Sequence, residues 1–232
     1  MKDRKVLVGT RAPLAVSWQV AMPSDHLPFL LLGWRVAPEL ERDGGMPESV
    51  GVLLTDALLR VGVLSYPSSS EPSSSAAARF RLMTGGAMGE RIRALLSRAP
   101  SKIWLVTATS SSVARQLFDD PGFPWWMQGQ IALISATEPP ADLNRSTLLK
   151  LMDPMQPMHR ADLGALSLKA VVQPGVDGDV AAIISVDTET DAAIVAAIES
   201  SARESGFQWR TVPEAEFARV LSDDRFVASD TA

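Results

Sequence analysis

Short apolar runs that do not alternate with polar residues are the strongest constraint on this chain. Phe29-Leu30-Leu31-Leu32-Gly33-Trp34 and Ile103-Trp104-Leu105-Val106 are the clearest of them. Successive side chains of a strand point to opposite faces, so a strand with one wet face alternates apolar and polar residues. A run that is apolar throughout predicts a strand covered on both faces, the usual condition of a parallel sheet. Other segments repeat their apolar residues at three and four: Val50, Leu53, Leu54, Ala57 and Leu58; Met88, Ile92, Leu95 and Leu96; Ile194, Val195, Ile198 and Ala202. That spacing predicts one-sided helices. Strands alternating with such helices predict an α/β fold, layered, with a mostly parallel sheet and helices packed on it.

Boundary signals locate several elements. Pro47 stands where proline opens a helix, with Glu48 in the first turn where the helix dipole favours an acid. Thr188-Glu189-Thr190-Asp191 has capping-box spacing ahead of an apolar run, and Gly206 predicts its end. Ser110 is available to cap a helix over 110–118. Strands are predicted at Leu166–Val172 and Val180–Val186 around the turn Pro174-Gly175-Val176-Asp177-Gly178, and at Phe207–Val212. Ser65-Tyr66-Pro67-Ser68-Ser69-Ser70-Glu71-Pro72-Ser73-Ser74-Ser75 reads as a mobile surface loop, because it offers little apolar surface to offset the entropy of ordering it. The segments on either side of it, Val61–Ser65 and Arg79–Met83, are expected to pair with each other. Pro154 and Pro157 mark the softest boundary. They divide the chain into an α/β lobe over 1–157 and a smaller α/β lobe over 158–232, or leave one continuous domain.

Composition narrows the chemistry. Cysteine is absent from the 232 residues, which removes disulfides, thiolate nucleophiles, iron–sulfur clusters and cysteine-ligated zinc. There are two histidines and one tyrosine, so few groups titrate near neutral pH. Residues 1–100 carry 12 basic and 9 acidic side chains, whereas residues 101–232 carry 10 and 18. An acidic second half repels phosphate backbones, which argues against nucleic acid as a partner. No stretch of eighteen apolar residues predicts a membrane span, and the apolar run after Lys5 is too short for a signal peptide. A cytoplasmic location is the expectation.

Few motifs suggest a site. Gly85, Gly86 and Gly89 precede a predicted helix, where bare backbone amides can cradle a phosphate, and Arg91 supplies charge. The Gly-Lys-Ser/Thr ending of a nucleotide loop is missing. Asp187, Glu189 and Asp191 follow a strand and could hold magnesium, but acids in a helix's first turn explain them equally well. Ser24-Asp25-His26 contains the residue types of a hydrolytic triad, yet adjacent residues rarely converge on one point. No catalytic residue, metal or cofactor is assigned on these grounds. Asp119-Asp120-Pro121-Gly122-Phe123-Pro124-Trp125-Trp126-Met127 predicts a loop before a strand at Gln130. Three large rings on so short a loop cannot easily all point inward. Phe123, Trp125 and Trp126 are therefore the candidate partner-binding residues, with Trp126 as the exposed anchor and Trp125 as a core ring.

Two stretches carry resemblances. Val8-Gly9-Thr10-Arg11-Ala12-Pro13-Leu14-Ala15 is similar to the opening strand of hydroxymethylbilane synthase, but that family carries its pyrrole cofactor on a cysteine and this chain has none. Pro47–Tyr66, the Gly85–Gly89 stretch and Phe123–Gln130 together resemble the carboxy-terminal domain of a type VI secretion lipase adaptor. That resemblance implies a non-enzymatic adaptor or chaperone whose partners are a secreted lipase effector and a secretion spike protein. The alternative reading is a small phosphate- or nucleotide-binding enzyme built on the Gly85–Gly89 turn.

Overall fold

The computed structural model describes residues 5–12, 29–35, 47–68, 79–84, 102–108, 110–113, 132–137, 143, 147–148, 160–174 and 180–222. Nine strands are present among them: β1 Lys5–Ala12, β2 Phe29–Arg35, β3 Val63–Ser68, β4 Arg79–Thr84, β5 Lys102–Ala108, β6 Ala132–Ser135, β7 Leu168–Pro174, β8 Val180–Ser185 and β9 Phe207–Thr211. The helices are α1 Glu48–Leu59, α2 Arg160–Ala165, α3 Thr188–Glu204 and α4 Glu214–Ser222. The strands form one sheet in the order β4-β5-β3-β6-β7-β8-β2-β1-β9. Strands from either side of residue 157 alternate in it, since β7 pairs with β6, β8 with β2, and β9 with β1.

The fold is α/β, but the sheet is mostly antiparallel. Only β1 and β9 run parallel, and every other neighbouring pair is antiparallel. The expectation of a parallel sheet rested on runs without alternation, and those runs have another cause here. Leu7, Leu30, Leu32, Ile134, Val172 and Ile183 belong to one core with α1 and α3. Their immediate neighbours Val8, Leu31, Leu133, Val171 and Ile184 belong to a second core with Leu163 of α2 and Phe217 and Val220 of α4. Neighbours in sequence on opposite sides mean that helices cover both faces of the sheet, and this coverage is independent of strand direction. The short connection from β7 to β8, residues 175–179, permits only an antiparallel pair, because a parallel return takes a dozen residues or more. Two long crossovers among the described elements run through helices: β2–α1–β3 carries the chain past β8, β7 and β6, and β8–α3–β9 carries it past β2 and β1 to the sheet edge.

Helix boundaries follow the local signals with shifts of one residue. Pro47 precedes α1 instead of opening it, and its carbonyl accepts from the N–H groups of Val50 and Gly51 at 2.9 and 3.0 Å. Ser110 Oγ accepts from the N–H of Val113 at 3.3 Å, the capping role expected of it. Gly206 ends α3 with φ +74°, a left-handed conformation that costs glycine nothing. Ser167 takes a similar conformation, φ 53°, between α2 and β7 without that freedom. The six-residue α2 has no strong periodicity and is not read from the sequence.

The Ser-rich stretch needs the largest correction. Residues 65–68 form the end of β3, an inner strand with β5 on one side and β6 on the other. Ser65 and Tyr66 are 1% and 3% exposed, so neither lies on a surface loop. The expected neighbour is also displaced, since β5 stands between β3 and β4. Pro67 is tolerated near the strand's end, where the ladder to β6 has already stopped at Ser65. Residues 69–75 lie outside the described residues.

Candidate functional site

The acidic segment after β8 is the sequence-predicted feature that the structure describes most fully. Asp187 has extended geometry, φ −150° and ψ 174°, and its Oδ1 accepts from the Thr190 N–H at 2.7 Å. It is the N-cap of α3. The cap therefore sits one residue ahead of the Thr188 expected from the capping-box spacing. Its carbonyl accepts from the Asp191 N–H at 3.1 Å, the first helical hydrogen bond. The three carboxylates then separate. Asp187 and Glu189 are exposed, whereas Asp191 is buried on the stripe that continues through Ile194, Ile198, Ser201 and Ala202. Among the described residues no group of three acidic or histidine side chains gathers as a metal site would require. The arrangement starts a helix, and Asp187 is committed to that start.

The first core contains a second polar feature that sequence reasoning did not identify as a pair. The phenol of Tyr66 on β3 lies beside the hydroxyl of Thr55 on α1, and both residues are buried. Burial pushes the Tyr66 phenol far above its ordinary value, and the Thr55 hydroxyl pulls weakly the other way. The phenol thus stays protonated across the physiological range. Only the solitary Tyr66 within a serine tract signalled it. On the opposite face of the same strand, Ser65 Oγ and Thr107 Oγ1 of β5 stand 3.2 Å apart as directly opposed residues.

Charged groups tie the end of α1 in place. Arg60 forks onto Glu204 of α3, Nη1 to Oε1 at 3.1 Å and Nη2 to Oε2 at 2.5 Å, and Nη1 also donates to Ser200 Oγ at 3.1 Å. The guanidinium holds the Glu204 carboxyl below the usual carboxylate range, assisted by the Ser200 hydroxyl. Lys169 of β7 donates through Nζ to the Val61 carbonyl at 2.7 Å. A Cβ at Gly62 would collide with the backbone carbonyl oxygen of Ser135, so the turn from α1 into β3 packs directly on the end of β6.

The remaining sequence-predicted residues are placed by topology alone. Gly85, Gly86, Gly89 and Arg91 follow the last residue of β4, and Phe123, Trp125 and Trp126 belong to the connection from β5 to β6. That connection joins two strands that flank β3 on either side and begins at the Ser110 cap. All seven residues, with His26 and His159, lie outside the described residues. No helix among the described residues is long and apolar enough to cross a membrane. Comparison of the chain with protein-family models, with curated proteins and with solved structures found no match.

Proposed function

We propose that this chain is a non-enzymatic interaction module, a cytoplasmic adaptor that binds a lipase effector and delivers it to a type VI secretion spike. The observation that carries this reading is the clustering of Phe123, Trp125 and Trp126 in the β5–β6 connection. Tryptophan is enriched among the residues that dominate binding energy. Two further features support it. The resemblance of Pro47–Tyr66, Gly85–Gly89 and Phe123–Gln130 to a lipase adaptor supplies the class of partner. The polar groups of the α3 start and the α1 end are engaged in building the fold, Asp187 as a cap and Arg60 in its fork to Glu204.

The test titrates the full chain with a type VI lipase effector by calorimetry. A saturable complex is expected. Trp126→Ala should weaken it by about thirtyfold, equivalent to roughly 2 kcal/mol, with the melting temperature unchanged. Trp125→Ala should instead destabilise the fold by about 3–5 kcal/mol. The reading is overturned if no complex forms, or if both variants bind as the wild type does. Stabilisation by a magnesium nucleotide that Arg91→Ala abolishes would replace it with a phosphate site at Gly85, Gly86 and Gly89.

A further inference from the structure

We draw no further inference here: the strongest candidate, the outer edge of strand β9 at the end of the sheet, carries nothing because nothing in the structure shows what covers it.

Discussion

Helix α3 and strand β3 border the same core and are held there by different means. α3 supplies its own boundaries. Asp187 caps it, Gly206 stops it, and Arg203 pairs with Glu199 one turn away at 3.2 Å. Its apolar stripe then docks an element whose ends are already defined. β3 supplies almost none of this. Its Ser-Tyr-Pro-Ser segment has weak strand propensity. It is ordered by β5 and β6 on its two sides and by Leu64 and Tyr66 entering the core under α1. An element with many independent local signals should lose little when one is removed. An element that depends on a few tertiary contacts should lose much from each.

Substitutions in the two regions test that contrast. The largest effect is expected at Tyr66. Tyr66→Ala removes an almost fully buried ring from β3 and should cost about 3–5 kcal/mol in chemical denaturation. A loss below 1 kcal/mol would show that the Ser-rich stretch packs loosely after all. Gly62→Ala comes next. The added methyl meets the Ser135 carbonyl, a backbone atom that cannot rotate away, and the cost should be about 1–3 kcal/mol. Moving the same substitution to exposed Gly164, whose nearest neighbour is a Val186 methyl at 3.6 Å, provides the control.

On the α3 side the expected changes are smaller. Asp187→Ala should lower stability by about 1 kcal/mol, and Asp187→Asn or Asp187→Ser should restore most of it. Equal losses for all three would argue that the carboxylate has a role other than capping. The smallest effect concerns the Arg60–Glu204 fork. Because Arg60 lowers the folded-state pKa of Glu204, its contribution is present above the ordinary carboxylate range and fades as pH falls through the lowered value. A pH series of melting temperatures should show a shallow decline at the acid end that Glu204→Gln removes. Both side chains are exposed, so added salt should reduce the decline as well.

Legibility in the sequence follows the same division. The spacing of Val50, Leu53, Leu54, Ala57 and Leu58, the glycine at 206 and the unbroken runs in β2 and β5 each encode their element locally. The acidic helix start was readable to within one residue, because Asp187, Thr188 and Asp191 all have side chains suited to a helix's first turn. Tyr66 and Thr55 were not readable as a pair. They come from different elements, and only the docking of α1 on the sheet brings the hydroxyls together. The antiparallel course of β7 and β8 was available from their short connection, whereas the direction of β9 was not.

Local sequence settles that strands and helices share this chain, that the apolar runs of β2 and β5 are covered on both faces, and where α1 and α3 begin and end. These properties depend on side-chain periodicity and on caps within a few residues of one another, so they are settled by local chemistry. Long-range packing decided that β5 lies between β3 and β4, that β9 lies beside β1, and that the first residues of the serine-rich segment, 65–68, complete an inner strand. Strand order is a choice among long-range hydrogen-bonded partners. A backbone N–H or C=O bonds equally well to many strands, and the choice falls to whichever arrangement buries both apolar faces at once.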